Sequence, residues 1–266
     1  MNKIAFIGAG NMASALAAGI IKGNVVDAKD IILFDKYPEQ YKKFDSDCLK
    51  ADSIADAVNY ADYIIISVKP QIAKEVICEI KNASYENKVF ISICAGTPIS
   101  TIESVLKGAK IVRTMPNTPL LIGQGVTAIC KNDKVSKEEF DFASSLFSSS
   151  GYVTELKEEE INAITAVNGS SPAYVYLFAK GMLDAAHRLG LKGEDLLEII
   201  CKTIIGSATM LLKDGRSPDE LINMVKSPKG TTERALDVFE ENNFTEIIYK
   251  AMKACTERAD ELSKLN

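Results

Sequence analysis

The chain has 266 residues, a length that predicts roughly two domains and a large apolar core. Hydrophobic residues make up 47% and charged residues 25% of it, as in ordinary globular proteins, which excludes low-complexity and disordered classes. Lys plus Arg is 31 and Asp plus Glu is 36, so the net charge of −5 argues against a nucleic-acid-binding protein.

The cysteine pattern bears on metal binding and on compartment. Six cysteines are scattered without a C-x-x-C pair, and His187 is the only histidine. This arrangement fits neither a zinc site nor a disulfide scaffold, so we expect no metal and a reducing cytoplasm. No apolar run approaches the roughly 20 residues that a membrane span needs.

The first half of the chain alternates short apolar runs with amphipathic ones. The predicted strands are 3–8, 30–35, 61–68, 88–94 and 109–115, and the apolar runs 126–131 and 151–156 could extend the sheet. Helical patterns at 11–23 and 72–81, and a capping box at Ser136 and Glu139, lie between them. Ile- and Val-rich runs separated by helices predict an α/β domain with a parallel, doubly wound sheet.

After about Lys157 the pattern changes to helical periodicity. We predict helices over 158–167, 172–189, 194–213, 218–226, 231–240 and 245–265. Ser217, Pro218 and Glu220 form a typical helix start. The sequence therefore predicts an all-α second domain, with domain limits of 1–157 and 158–266.

The first predicted strand leads directly into "GAGNMA", residues 8–13, which opens the first helix. In this G-x-G-x-x-A spacing, Gly8 allows the tight turn, Gly10 lets the backbone approach a pyrophosphate, and Ala13 lets helix and strand pack closely. Asp35 ends the second strand, where a carboxylate would bind a ribose diol; a simple turn residue is the alternative. This context predicts a Rossmann-type dinucleotide-binding domain.

The cofactor preference stays open in the sequence. Asp35 favours NAD(H), because a carboxylate repels the 2′-phosphate of NADP(H), but Lys36 and Tyr37 follow at once and could offset that repulsion. Three later strands end in loops at the same sheet edge: "VKPQ" (68–71), "CAGTP" (94–98) and "MPNTP" (115–119). Such loops line cofactors, although Pro and Gly also simply end strands.

The stretch "SPKGTTERAL", residues 227–236, is a helix start with small residues around Gly230. Backbone N–H groups there and the positive end of the helix dipole would form an anion site. The alternative is a helix cap with no ligand.

Together these motifs, with "NGSSPAY" (168–174) and "LDAAHRLGL" (183–191), resemble the pyrroline-5-carboxylate reductases over nearly the whole chain. The resemblance implies a Rossmann domain followed by a helical domain that binds substrate and dimerises, with dimers often assembling further. It also implies reduction of 1-pyrroline-5-carboxylate to L-proline by NADPH or NADH, the last step of proline biosynthesis.

The resemblance and the motifs give a set of site residues. The expected cofactor contacts are Gly8, Gly10, Asn11, Met12, Asp35, Lys36, Val68, Lys69, Pro70, Ala95, Gly96 and Asn117. The expected substrate contacts are Ser227, Gly230, Thr231 and Thr232. Our hypothesis is that the hydroxyl of Thr232, the catalytic residue, hydrogen-bonds the ring nitrogen of the imine. Lys226 and Lys229 depart from the family, which usually has a small residue at each position.

The expected partners are a cyclic imino acid and further copies of the chain, a homodimer or higher homo-oligomer, with no nucleic acid and no membrane. Two other functions stay open. A β-hydroxyacid dehydrogenase shares the two-domain plan but needs a catalytic lysine, for which the helix offers only Lys180. An NAD(H)-binding redox sensor would need a partner-binding element, and no basic stripe suggests one.

Overall fold

A computed structural model of the chain describes residues 2–265. Its contacts divide the chain into two compact units. The first unit ends at Pro172 and also contains the segment from Ala254 onward, and the second is Ala173–Lys253. The boundary predicted at Lys157 from the change to helical periodicity stays a prediction.

The first unit is built on an eight-stranded sheet. Its strands are β1 Ile4–Ile7, β2 Ile31–Phe34, β3 Leu49–Lys50, β4 Tyr63–Ile66, β5 Val89–Ser92, β6 Lys110–Met115, β7 Gly125–Lys131 and β8 Gly151–Glu155. Their spatial order is β3-β2-β1-β4-β5-β6-β7-β8. The predicted α/β class, with a doubly wound sheet before a helical region, is confirmed.

One strand pair departs from the predicted parallel arrangement, since β7 runs antiparallel to β6. The connection between them, residues 116–124, holds only a 3₁₀ turn at Thr118–Ile122. A parallel return needs a crossover of a dozen or more residues, so this connection is too short for one. β7 and β8 are parallel again and are joined across a helix at Lys137–Ser148.

Eleven α-helices lie within the described residues. They are α1 Asn11–Lys22, α2 Ile54–Tyr60, α3 Pro70–Ile80, α4 Ile99–Val105, α5 Lys137–Ser148, α6 Ile161–Ile164, α7 Ser171–Arg188, α8 Leu196–Lys213, α9 Pro218–Val225, α10 Thr231–Glu241 and α11 Phe244–Leu265. None of these helices is long and apolar enough to cross a membrane.

The sheet is buried on both faces because residues along each strand alternate between two cores. In β1, Ala5 and Ile7 belong to the core shared with α2, α3 and α4, whereas Ile4 and Phe6 belong to the core shared with α1 and α5. This alternation explains why the strands read as continuous apolar runs. Because helices pack on both faces of the sheet, the strand ends are held in place, and the candidate site lies at these ends.

The helix predicted over 158–167 is instead three short pieces. A 3₁₀ turn at Glu158–Glu160 precedes α6, and a π-helical turn follows at Thr165–Gly169. In the π turn the Ser170 N–H donates to the carbonyl of Thr165 at 2.8 Å. Such turns are frequent at functional sites.

The second unit consists of helices, and α9 begins with the predicted capping box. The Glu220 N–H donates to Ser217 Oγ at 3.3 Å, and the Ser217 N–H donates to Glu220 Oε2 at 2.8 Å. Large apolar side chains are exposed along these helices, among them Tyr176, Leu177, Ile205, Leu212 and Val225.

Candidate active site

The loop between β1 and α1 presses the backbone of Gly8 against the end of β4. Gly8 has a φ of +99°, which side-chain-bearing residues rarely adopt, and a Cβ there would lie 2.7 Å from the Ser67 carbonyl oxygen. Ser67 Oγ donates to the Gly8 carbonyl at 2.6 Å. The sequence analysis missed Ser67, although a polar residue directly after a buried apolar strand was the signal.

The start of α1 fits an anionic ligand. Gly10 is its N-cap, no side chain caps the helix, and the first turn contains no acidic residue. By helix geometry, the N–H groups of Asn11 and Met12 therefore have no intrahelical acceptor. A Cβ on Gly10 would meet no heavy atom within 4 Å, so space is open in front of these donors. Free N–H groups at the positive end of a helix suit the pyrophosphate of a dinucleotide.

Asp35 lies directly after β2 as predicted, and its carboxylate is held by the backbone. Oδ2 accepts the Ala9 N–H at 2.7 Å, and Oδ1 accepts the Tyr37 N–H at 2.9 Å. The Tyr41 hydroxyl accepts the Asp35 N–H at 2.9 Å. Asp35 therefore ties the glycine loop to the segment after β2, and these two donors offset part of its negative charge.

A cavity of about 460 Å³ opens at the carboxyl ends of β1, β2 and β4. The predicted residues in its wall are Gly8, Gly10, Asp35, Lys36, Val68 and Lys69, and those that the sequence analysis did not place there include Gln40 and Ile72. Lys36 Nζ lies 3.3 Å from Glu75 Oε1, in an exposed ion pair of a kind that contributes little stability. In open α/β sheets this edge is where nucleotides bind.

A second cavity, of about 300 Å³, shares Ser67 and Val68 with the first. Its other lining residues are Met12, Ile93, Ala95, Met115, Pro116, Thr165, Gly169 and Ser170. The structure thus brings together the predicted Met12, Val68 and Ala95. The π-turn residues were missed as lining residues, and the signal for them was the "NGSSPAY" stretch, to which no role was given.

Asn117, a predicted cofactor contact, is buried with its side chain engaged in the protein. Its Nδ2 donates to the Asn168 carbonyl at 3.2 Å, and its Oδ1 accepts the Val126 N–H at 2.8 Å. Asn168 Nδ2 in turn donates to the carbonyls of Met115 and Val126 at 2.9 and 3.2 Å. The two asparagines fasten the π turn to the loop after β6. A direct contact of Asn117 with a cofactor stays a prediction.

Pro70 and Gly96 have local structural explanations. Pro70 is the first residue of α3, where proline favours the helix start. Gly96 has a φ of +66°, and a Cβ there would lie 2.6 Å from the Cβ of Leu262 in α11. Neither residue lines the two cavities, so their contacts with a cofactor stay predictions.

The thiol of Cys94, in the loop after β5, is not suited to nucleophilic chemistry. Burial raises its pKa to about 11, and Sγ donates to the Val68 carbonyl at 3.3 Å. It is therefore protonated at neutral pH. No cluster of three or more His, Cys, Asp or Glu side chains among residues 2–265 could hold a metal ion.

The loop predicted to hold the substrate lies in the second unit, before α10. Gly230 is the N-cap without a side-chain cap, so the first-turn N–H groups of Thr231 and Thr232 have no intrahelical acceptor. Glu233 Oε2 folds back to accept the Lys229 N–H at 2.7 Å. Ser227 Oγ lies against Gly230, where a Cβ would approach it to 2.2 Å. Ser227, Gly230 and the first two residues of α10 thus lie close together, and Thr231 and Thr232 have free N–H donors.

Thr232 also lines an apolar groove of about 350 Å³ within the second unit. The groove is bounded by α8 and α9, through Ser207, Met210, Leu211, Pro218, Leu221, Ile222, Met224 and Val225, and by Leu236 of α10. The Thr232 hydroxyl, beside this apolar wall, could form a hydrogen bond with one polar atom of a mostly apolar ring.

Two family profiles match the chain. The profile described as pyrroline-5-carboxylate reductase dimerisation covers residues 158–262, and the one described as NADP oxidoreductase, coenzyme F420-dependent, covers residues 3–96.

Full-length relatives carry the same family name. The pyrroline-5-carboxylate reductase of Pseudomonas aeruginosa is 38% identical over 98% of this chain and 97% of its own. That of Escherichia coli strain K12 is 34% identical, with 98% of each chain covered. The crystal structure of Plasmodium falciparum pyrroline carboxylate reductase with NADP bound has a TM-score of 0.91 at 32% identity and covers 98% of both chains. The chain therefore belongs to the pyrroline-5-carboxylate reductase family, NAD(P)-dependent oxidoreductases that catalyse the final step of proline biosynthesis.

Proposed function

We propose that the dinucleotide lies along the carboxyl edge of the sheet, with its adenosine half in the 460 Å³ cavity and its nicotinamide in the 300 Å³ cavity. The supporting observation is that the two cavities share Ser67 and Val68, with the uncapped start of α1 beside them. Gly10, Asn11 and Met12 would bind the pyrophosphate through backbone N–H groups.

NADP is the cofactor we propose, since the structurally similar Plasmodium enzyme was crystallised with it. The residues of this chain fit that cofactor, because the Asp35 carboxylate is turned to backbone donors and two lysines, Lys36 and Lys69, line the same cavity. NADH should still bind measurably, because the two lysines would contact the 2′-phosphate, which NADH lacks, and not the ribose itself.

The substrate carboxylate would be received by the Ser227–Thr232 loop. The N–H groups of Thr231 and Thr232 lie at the positive end of α10, and Lys229, in the same loop, carries a further positive charge. The Glu233 carboxylate already accepts the Lys229 N–H, so it leaves the two threonine N–H donors free. The apolar groove beside Thr232 would contact the ring methylenes.

The reduction requires little acid–base chemistry from the protein, because a protonated imine is already electrophilic. When bound, the reduced nicotinamide supplies the hydride. Thr232 Oγ1 would accept the hydrogen bond of the protonated ring nitrogen and favour its charged form. The loop N–H groups would orient the carboxylate, so that the imine carbon is presented in one orientation.

The match to a dimerisation domain over residues 158–262 supports a homo-oligomer. We propose that a homodimer is its smallest form, with higher assembly built from dimers. We also propose a cytoplasmic location, which is supported by six cysteines that are all unpaired.

The proposed role of Thr232 is tested by comparing Thr232→Ala with Thr232→Ser. Loss of a hydrogen bond that is strongest in the transition state should lower kcat/KM for 1-pyrroline-5-carboxylate by about 10²-fold in the alanine variant. The serine variant keeps the hydroxyl and should retain most activity. Unchanged kinetics for Thr232→Ala would leave this residue as a helix-start residue only.

The same assay, with NADPH and NADH run in parallel, tests the cofactor proposal. The loss of reduced nicotinamide absorbance should be faster with NADPH at equal concentrations. A higher kcat/KM for NADH would show that the Asp35 carboxylate, rather than the lysines, governs the ribose end of the cavity.

A further inference from the structure

Lys43 ends the 3₁₀ segment Pro38–Lys43 that follows β2, and its ammonium group lies against the glycine-loop helix. Nζ donates to Asn11 Oδ1 at 2.7 Å and to Gln40 Oε1 at 2.7 Å. Both acceptors are neutral. Asn11 is the first residue of α1, and Gln40 lines the 460 Å³ cavity. The ammonium group thus lies between the start of α1 and the wall of the proposed adenosine site.

Lys43 is exposed to solvent, and its ammonium group adds positive charge beside the uncapped start of α1. A cation near a helix N-terminus adds to the positive end of the helix dipole, whereas acidic residues are the stabilising ones there. The first turn of α1 has no acidic residue and no cap. Lys43 has no carboxylate within ion-pair distance among residues 2–265, whereas the nearby Lys36 pairs with Glu75. The ammonium group and the start of α1 are therefore both available to one bound anion.

Two carboxylates on this side of the cavity, those of Asp35 and Glu75, are bonded to groups other than Lys43. Both oxygens of Asp35 are bound to the N–H groups of Ala9 and Tyr37, in the loop rather than at Lys43. Glu75, on α3, is occupied by Lys36. A ligand phosphate is the group of matching charge that the proposed function brings to this edge of the sheet.

We propose that Lys43 is a phosphate-binding residue of the cofactor site, oriented for that role by Asn11 and Gln40. The inference rests on the proposed location of the dinucleotide. The phosphate would be either the 2′-phosphate of the adenosine ribose or the pyrophosphate at the start of α1. Ammonium and phosphate attract each other in the same way in both cases.

The test is a binding titration without substrate, in which the fluorescence of NADPH or of NADH reports the bound cofactor. Lys43→Gln keeps a hydrogen-bond donor and removes the charge, and it should weaken binding by about tenfold, as expected for one charge-assisted bond. Lys43→Arg should restore most of the affinity. Lys42→Gln, which changes an exposed neighbouring lysine in the same segment, is the matched control and should bind like the wild type.

The pattern of losses distinguishes the two phosphates. A loss with NADPH alone assigns Lys43 to the 2′-phosphate, and an equal loss with NADH assigns it to the pyrophosphate. The difference between wild type and Lys43→Gln should also shrink at high salt, because salt screens exposed charges. Equal affinities of the two proteins for both cofactors would overturn the inference. A wild type that binds neither cofactor would instead overturn the proposed cofactor site.

Discussion

The two glycines of the β1–α1 loop differ in the reason why each must be a glycine. At Gly8 the constraint lies in the protein itself, since a Cβ would lie 2.7 Å from the Ser67 carbonyl oxygen at a φ of +99°. At Gly10 the protein imposes no steric limit, because nothing lies within 4 Å of a Cβ built there. The fold itself therefore does not require a glycine at position 10, which supports the proposed pyrophosphate contact.

Alanine substitutions should separate these two reasons. Gly8→Ala should lower the free energy of unfolding by about 2–4 kcal/mol, from the unfavourable φ and the backbone overlap. Gly10→Ala should change it by less than about 0.5 kcal/mol but weaken NADPH binding at least about tenfold, because its methyl group would occupy the phosphate approach. Urea denaturation and fluorescence titration measure the two effects. A Gly10→Ala protein with normal affinity would contradict the proposed position of the pyrophosphate.

At the level of elements, the buried strands were predictable and the shortest helices were not. Each predicted strand was found within two residues of its expected ends, since burial on both faces produces unbroken apolar runs. α2 and α4, of seven residues each, are too short to show a helical period. The π turn at Thr165–Gly169 depends on tertiary contacts of Asn168, which no local pattern reveals.

The candidate site shows the same division. Gly8, Gly10 and Asp35 were predictable, because their spacing follows from how a strand, turn and helix meet a dinucleotide. Ser67 and Thr165 join the site only through the register of β4 and the path of the chain after β8. The backbone partners of Asp35 were also unpredictable, because they depend on the conformation of the glycine loop.

Asn168 should be a positioning residue for the second cavity. Asn168→Ala would leave the buried carbonyl of Met115 and the part-buried carbonyl of Val126 without its amide donor, so the free energy of unfolding should fall by about 1–3 kcal/mol. Because Met115 and Gly169 line the cavity, kcat should fall while the KM for the substrate changes less. The control is Asn242→Ala, since that exposed side chain donates to the carbonyl of Val238 in its own helix. Unchanged stability and kcat in Asn168→Ala would contradict this role.

On the scale of the whole molecule, the second unit exposes many large apolar side chains along its helices. Ile205 and Leu212, both on α8, are 61% and 87% exposed. Exposed apolar surface of this kind marks protein–protein interfaces. Residues 158–262 match a dimerisation profile, so we expect this exposed apolar surface to lie in the interface between copies of the chain.

Negative charges introduced on that apolar surface should dissociate the homo-oligomer. The wild type should have a mass that is a multiple of its 28.9 kDa chain mass in light scattering. The double variant Ile205→Asp and Leu212→Asp should fall to the chain mass at micromolar concentration, because burying two unpaired carboxylates is costly. Tyr152→Asp places a charge on exposed β8 of the first unit and should leave the mass unchanged. A double variant of unchanged mass would place the interface elsewhere.

The burial of Arg113 in β6 limits the order in which parts of the chain can fold during synthesis. Its side chain is 3% exposed, and its guanidinium donates to Glu158 Oε1 at 3.4 Å and to Asn162 Oδ1 at 2.7 Å. Both acceptors come more than 40 residues later, after the last strand. A nascent chain that has emerged only as far as β8 must therefore keep this cation hydrated, and the sheet can close over β6 only when residues 158–162 arrive.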